Sequence, residues 1–417
     1  MVYRDGKKFS ETYIHEIPNL MEKSLKIAKE QLINRWVAAF DEIEKYSQIE
    51  THTVKVKYAD IFSYHLSTYR NGKISAGSKL SHLPPEDRFN YGKYGFNQDG
   101  FLTTAEIYSK GSLSNFGFFT KNDDIIEYIE FSAERRVPSS IQRIFFENDK
   151  KILFESVFAN GRSGFHFKTG NSLVEKITAA FNDGHSAICT IEKYDYDSER
   201  ITKAHGLSIL PGIGEHFYEN IYSYTGKKLT EIKTYNDTGR TSIAYVAPSG
   251  RSLKTIINEL AEMFCDYLIS MLKKQHFDSP LFIVELSYRY CDNYIPHPVV
   301  VTERQKNEAI AKKDADLFAE GEFIKAIVEL PTALEELYVE FYQLLETKDN
   351  WEAGRKMLKQ TARLLSASKL KEEIPVSADF IAFPIEWELE WEELEKILLQ
   401  CGASKSTVKE WKMNGWV

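Results

Sequence analysis

The residue types in this chain that could do chemistry are histidines, glycine-rich stretches and a dense run of glutamates. Three histidines, His185, His205 and His216, fall in one region of the sequence. Three histidines can ligate zinc, but these lack the i, i+4 spacing of a helical site, and no cysteine accompanies them at ligand spacing. We therefore expect no bound metal and no other cofactor.

Two glycine-rich stretches contain parts of known motifs. Gly212-Ile213-Gly214-Glu215-His216 begins like a phosphate-binding loop but lacks the third glycine and a Gly-Lys-Ser/Thr ending. Gly161-Arg162-Ser163-Gly164 lacks the spacing of a nucleophile elbow. We assign no catalytic residue and expect a protein that is not an enzyme. An enzyme with an unrecognised site stays an alternative, which convergence of His205, His216 and a carboxylate in a pocket would favour.

The glutamate run near the end of the chain alternates with apolar residues. If it were a strand, its glutamates would share one face and its tryptophans the other. One interpretation is an acidic contact surface for a basic partner, because long-range charge raises association rates. The other is a solvated strand edge that leads into an acidic helix N-terminus, which the helix dipole favours. The candidate partner-binding residues are Glu386, Trp387, Glu388, Glu390, Trp391 and Glu393.

The net charge of -8 is confined to the last part of the chain. Residues 251–417 hold 21 Lys and Arg against 29 Asp and Glu, whereas residues 1–250 hold 32 of each. An acidic surface repels phosphate, so we expect no nucleic-acid partner there. The charge suits a basic protein partner, or simply solubility.

Cysteine usage and hydropathy indicate the compartment. The four cysteines have no metal-ligand spacing and are typical of reduced thiols in an intracellular protein. No apolar run reaches the ~18 residues of a membrane span, and residues 1–8 lack the apolar core of a signal peptide. We therefore expect a cytoplasmic protein without a membrane partner.

The elements of the first half are a long helix followed by hairpins. Helical periodicity covers residues 17–46, and a period of two begins at residue 53. A unit of aromatic residue, polar turn and strand then recurs, which predicts a succession of antiparallel hairpins. A second helix is predicted over residues 172–181. The repeated units are residues 96–102, 119–125, 146–152, 196–201 and 224–229.

The second half alternates helices with apolar strands. An amphipathic helix is predicted over residues 252–274, a buried strand over 281–286 and an extended Pro-His-Pro segment over 295–301. Two further helices, a strand from residue 378 and two short closing helices follow. The fold class is therefore α+β: an N-terminal helix with hairpin-rich antiparallel sheet, then a C-terminal α/β-type domain with several helices. The predicted domains are 1–170, 171–250 and 251–417.

Two resemblances suggest a function. The repeats of residues 96–246 resemble the tyrosine-aspartate repeats of Rhs-type proteins, which implies a sheet module that binds a ligand or encloses cargo. Residues 252–416, with Asp379-Phe380-Ile381-Ala382-Phe383 and the tail Val408-Lys409-Glu410-Trp411, resemble a domain of unknown function found among immunity proteins of bacterial polymorphic-toxin systems. That second resemblance implies a cytoplasmic protein that binds and neutralises a cognate toxin, such as a basic nuclease. We take it as the leading hypothesis.

Overall fold

The computed structural model divides into two compact units, Met1–Ser242 and Ile243–Val417. The structure describes residues 12–59, 64–70, 73–76, 81, 90–159, 187–210, 214–237, 239–289, 293–313, 317, 321–323, 330–348, 350–386 and 390–417. The predicted helix over residues 172–181 lies outside these ranges, as do His185 and the stretch 161–164.

The N-terminal unit begins with two helices, α1 (Thr12–Ala39) and α2 (Lys45–Glu50). A single helix over residues 17–46 was predicted, and this prediction is wrong at its end. The helical hydrogen-bond ladder gives way after Ala39 to i→i+3 bonds, such as the 3.3 Å bond from the Phe40 amide to the Val37 carbonyl. The chain turns there and starts again as α2.

Fourteen strands follow the two helices among the described residues. Twelve form one sheet in the order β1-β4-β5-β6-β7-β8-β9-β10-β11-β12-β13-β14, and β2 and β3 form a separate hairpin. The strands are β1 (Lys55–Ala59), β2 (Tyr64–Arg70), β3 (Lys73–Ala76), β4 (Tyr91–Phe96), β5 (Leu102–Ser109), β6 (Ser112–Lys121), β7 (Ile125–Ser132), β8 (Pro138–Glu147), β9 (Lys150–Ala159), β10 (Ala187–Asp197), β11 (Arg200–Leu210), β12 (Gly214–Thr225), β13 (Lys228–Asn236) and β14 (Thr241–Val246).

Tight turns explain why the large sheet is a chain of hairpins. Asn148 and Asp149, between β8 and β9, have φ of 50° and 61°, as a two-residue hairpin turn requires. The aromatic residue before several turns sits at a bulge: the register shifts just before Phe146, Tyr196 and Tyr224. The predicted succession of antiparallel hairpins is confirmed.

Both faces of the large sheet carry apolar clusters. One cluster joins α1 to alternate residues of six strands, and the other lies on the opposite face, because neighbouring side chains of a strand point to opposite sides. Phe118 belongs to the first cluster and Phe119 to the second. The first contains Leu25, Leu32, Ile33, Trp36, Phe116, Phe131, Ile141, Val157, Cys189, Ile191, Leu207 and Ile209. The second contains Leu66, Tyr94, Leu102, Ala105, Ile126, Tyr128, Ile144, Phe154, Tyr194 and Ala204.

The C-terminal unit combines helices with a small mixed sheet of order β17-β16-β15-β18. The helices are α3 (Leu253–Leu272), α4 (Glu303–Lys312), α5 (Thr332–Lys348), α6 (Glu352–Leu364), α7 (Leu370–Glu373), α8 (Leu394–Gln400) and α9 (Lys405–Met413). The strands are β15 (Leu281–Arg289), β16 (Asn293–Thr302), β17 (Glu322–Phe323) and β18 (Val376–Ile385).

The central strand of this sheet is β15, which pairs antiparallel with β16 and parallel with β18. Its residues from Leu281 to Leu286 are buried, as a mostly apolar run predicts for a strand covered on both faces. The outer edge of β18 is closed by a π-helical turn, Leu365–Lys369. Ser366 in that turn accepts a 2.9 Å hydrogen bond from the Ala382 amide, which faces away from β15.

The structure confirms the predicted α+β class and its arrangement along the chain. The predicted boundary near residue 170 falls between β9 and β10, which pair as neighbours in one sheet, so the strands on its two sides share a unit. The division between the two units comes at residue 242, close to the predicted change at residue 250. A continuous hydrogen-bond ladder holds β9 and β10 together whatever the length of the connection between them.

Candidate partner-binding site

The candidate site follows strand β18, where the chain leaves the small sheet. The strand ends at Ile385, Glu390 is already helical, and a 3₁₀ turn (Trp391–Glu393) leads into α8. The strand geometry considered for the glutamate run is therefore wrong at its described end, Glu390 and Trp391. Glu390 and Trp391 are helical, so these two residues do not continue the strand.

Glu390 lies inside the protein, with only 2 % of its surface exposed. Its Oε2 atom accepts a 2.7 Å hydrogen bond from the Tyr288 hydroxyl and a 3.0 Å hydrogen bond from the Glu386 amide. The guanidinium of Arg355, on α6, stands 3.3 Å from the other carboxylate oxygen. A buried carboxylate needs such partners, since burying an unpaired charge costs several kcal/mol.

Glu386 and Glu390 are joined by two hydrogen bonds. The Glu390 amide donates a 2.8 Å hydrogen bond to the Glu386 carbonyl, while the Glu390 side chain binds the Glu386 amide. We call this pair of hydrogen bonds between Glu386 and Glu390 the clasp. A partner protein cannot reach the Glu390 carboxylate from solvent, because the residue is buried.

The six predicted residues therefore divide into groups. Glu393 is exposed, Glu386 is half-buried and Glu390 is buried. The structure gives only the backbone of Trp391, and Trp387 and Glu388 lie outside the described residues.

The exposed carboxylates lie on the 3₁₀ turn and the first turn of α8. Glu392, Glu393 and Glu395 are all exposed, and Leu399, one helical turn further on, is 39 % exposed. Together with Lys396 and Gln400 these four residues line an open depression of about 450 Å³, and the four are called the acidic surface below. The sequence run indicated its charge, but Leu399, Glu392 and Glu395 were not among the predicted residues. Helical spacing from Glu395 to Leu399 could have shown that the two share a face.

Two lysines contact the acidic surface. Lys396 Nζ lies 3.3 Å from a Glu393 oxygen, and Lys412 Nζ lies 2.6 Å from a Glu395 oxygen. Each of these side chains is about half exposed or more. Exposed pairs of this kind contribute about 0.2–1 kcal/mol, so the carboxylates can exchange these lysines for those of a partner.

The histidines do not assemble a site among the described residues. His205 Nε2 lies 3.0 Å from an Asp195 oxygen, and His205 Nδ1 lies 3.3 Å from a Glu219 oxygen. His216 has a different neighbour, Asp237, at 3.4 Å. Within these ranges no three His, Cys, Asp or Glu side chains are grouped so that they could hold a metal ion.

The Rhs-type alternative predicted a closed or curled sheet with a large interior. In the order of the described strands of the large sheet, β1 and β14 are the two ends. Side chains of two apolar clusters pack on its faces.

No helix in the described part of the chain is both long and apolar enough to cross a membrane.

Comparisons with protein-family models, curated proteins and solved structures find no match to this chain.

Proposed function

We propose that this chain is a cytoplasmic immunity-type protein that binds and neutralises a cognate bacterial toxin by protein–protein contact through the acidic surface. The observation that carries the proposal is that the exposed residues Glu392, Glu393 and Glu395 line one depression with the exposed side chain of Leu399. A charged rim around an apolar centre is typical of protein contact surfaces.

The partner that fits this surface is basic. The excess charge of -8 belongs to residues 251–417, the same part of the chain as the acidic surface. A field of that sign draws a basic protein toward the surface and raises the association rate by about 10- to 1000-fold. On contact, lysines or arginines of the partner would replace Lys396 and Lys412, and an apolar side chain would cover Leu399.

The clasp of Glu390 supports this proposal because it holds the acidic surface in one conformation. A surface that is ordered before binding avoids the free-energy cost of ordering it in the complex. Glu390 is thus a positioning residue in the proposal, and Glu392 and Glu393 are the contact residues.

A calorimetric titration tests the proposal. The titrant is the product of the gene next to the coding sequence, and cells that express this product are assayed for protection. Glu392→Lys/Glu393→Lys should weaken binding and protection, whereas Glu262→Lys/Glu372→Lys, which changes two exposed carboxylates elsewhere in the same unit, should leave both unchanged. Absence of heat and of protection with the unaltered protein would contradict the proposal.

A further inference from the structure

The outward side of the last helix, α9, is basic. The helix packs inward through two buried residues, Val408 and Trp411. At about 100° per residue, three exposed residues fall within about 80° of each other on the outward side: Lys405, Lys409 and Met413. We call these three residues the basic face.

The basic face borders the acidic surface. Lys412 stands about 20° from Lys405 around the axis of α9. Its Nζ atom lies 2.6 Å from a carboxylate oxygen of Glu395, which belongs to the acidic surface on α8. One side of the C-terminal unit therefore carries a negative and a positive surface next to each other.

Each of the two surfaces also has an exposed apolar side chain beside its charges. Leu399 in the acidic surface is 39 % exposed, and Met413 in the basic face is 74 % exposed. Met413 is the most exposed large apolar side chain in the described part of the chain. Apolar side chains with charges at their rim are typical of contact surfaces, and the flexible methionine side chain adapts to the shape of a partner.

We propose that a second copy of this chain covers both surfaces, with the basic face of each copy on the acidic surface of the other. A two-fold axis between the copies makes both contacts at once, because the two surfaces are neighbours and have opposite charge. The two lysines of each basic face then meet glutamates of the other copy. Met413 of one copy covers Leu399 of the other.

The charges favour a second copy over a partner of one sign. A purely basic or purely acidic partner could pair with only one of the two surfaces, whereas a second copy supplies both. The net charge of -8 on each copy opposes association at long range. At an ionic strength of 0.15 M the Debye length is about 8 Å, so repulsion between distant charges is screened while charges in contact still attract.

This inference goes beyond the proposed function and concerns the protein without its toxin. A basic toxin on the acidic surface would displace the basic face of the second copy, so toxin binding and self-association would exclude each other. Self-association is measured with this chain alone. Its failure would leave the proposed toxin binding untouched.

Sedimentation equilibrium of the full chain tests the inference. The mass should rise with protein concentration from 48.2 kDa to twice that value and stop there, because a two-fold contact closes on itself. Lys405→Glu/Lys409→Glu and Glu392→Lys/Glu393→Lys should each weaken the dimer at least about tenfold, since each variant sets like charges against each other.

A change of net charge alone should not break the dimer. Lys254→Glu/Lys274→Glu makes the same charge change as the basic-face variant, at two exposed lysines near the ends of α3. It should dimerise like the unaltered protein. Equal weakening in this control and in the basic-face variant would overturn the inference.

A mixture of the two charge-reversed variants gives the sharpest result. Neither variant should dimerise with itself, but one copy of each should pair, because the charges in both contacts are then opposite again. Recovery of the dimer in the mixture also excludes misfolding as the cause of the loss. A mass of one copy at every concentration, a mass that grows beyond two copies, or no recovery in the mixture would each overturn the inference.

Discussion

The Tyr288 hydroxyl donates a 2.7 Å hydrogen bond to Oε2 of Glu390, a residue far along the chain. It links the end of the central strand β15 to the turn that starts α8. Burial first, and then the neighbouring Glu390, raise the pKa of Tyr288 well above its usual value, so the hydroxyl keeps its proton and donates. The contact surface proposed here rests on this buried pair.

Replacing Tyr288 by phenylalanine should therefore destabilise the C-terminal unit. The change removes the hydroxyl that donates to Oε2 of the buried Glu390 carboxylate. Loss of a hydrogen bond to a charged group costs about 1.5–3 kcal/mol. Urea unfolding measures the loss, and hydrogen exchange at the Glu386 amide should speed up because the clasp loosens. Tyr245→Phe, at a half-buried tyrosine of the same unit, is the matched control. Unfolding free energies equal for the two variants would refute the role of the pair.

Gly354→Ala should destabilise the protein, although alanine is normally more favourable than glycine in a helix. Gly354 is buried in α6, and a methyl group there would overlap the ring of Tyr294, which is itself fully buried. The gain in helix propensity is about 0.5–1 kcal/mol, whereas overpacking a core costs about 1–3 kcal/mol, so the clash prevails. Thermal and urea unfolding measure the sign of the change in the free energy of unfolding.

The same change made beside Tyr294→Ala supplies the control for Gly354. With the ring removed, alanine at position 354 should become neutral or stabilising relative to glycine. A stabilising effect of Gly354→Ala in the protein that keeps Tyr294 would show that the Tyr294 ring can move aside for the added methyl group.

Glu106 should give the N-terminal unit a stability that acid removes. Tyr46, Lys93 and Tyr108 donate hydrogen bonds of 2.8, 2.7 and 2.6 Å to its carboxylate. Burial alone would raise the pKa of Glu106, but the hydrogen bonds from Lys93 and the two tyrosines outweigh it, and the net pKa falls below its ordinary 4.5. A lowered folded-state pKa gives stability that is present above the unfolded-state value and is lost as the pH falls through the folded-state value.

The unfolding free energies of the unaltered protein and of Glu106→Gln, measured from neutral to acidic pH, test this. The advantage of the unaltered protein should be constant near neutrality and shrink below the ordinary pKa of 4.5. The glutamine variant has no carboxyl group to titrate at position 106, so it is the baseline for the unaltered protein. An advantage that grows as the pH falls would mean that the carboxyl prefers its protonated form.

Ser366→Ala should open the edge of the small sheet. The serine hydroxyl is the acceptor for the Ala382 amide, so its loss leaves that amide unsatisfied at a cost of about 1 kcal/mol. Hydrogen exchange at Ala382 should accelerate, while the amide of Phe383, which by strand alternation faces β15, provides the internal reference. Equal acceleration at both amides would indicate that β18 as a whole is less stable, rather than that the Ala382 amide alone has lost its acceptor.

Local patterns in the sequence predicted much of the fold. The apolar face of residues 252–274 indicated α3, and the mostly apolar run at residues 281–286 indicated the central strand β15. Both signals depend on neighbours along the chain, which is why they could be read without the structure. The aromatic-turn repeats predicted the hairpins for the same reason.

The candidate site was harder to predict because its geometry depends on distant residues. Alternating Glu and Trp are compatible with a strand, and nothing in residues 386–391 indicates that Glu390 turns inward. Its partners Tyr288 and Arg355 lie on β15 and α6, far away in sequence. A dense acidic run normally indicates a solvated surface, so a buried member of such a run is visible only in the folded chain.

The association rate with the neighbour-encoded toxin, measured against salt concentration, tests the proposed function most directly. We expect fast association that slows as salt is added, and a rate at least about tenfold lower for Glu392→Lys/Glu393→Lys at low salt. The control Glu262→Lys/Glu372→Lys should keep most of the original rate. Equal rates for all three proteins, or no association at all, would contradict the account.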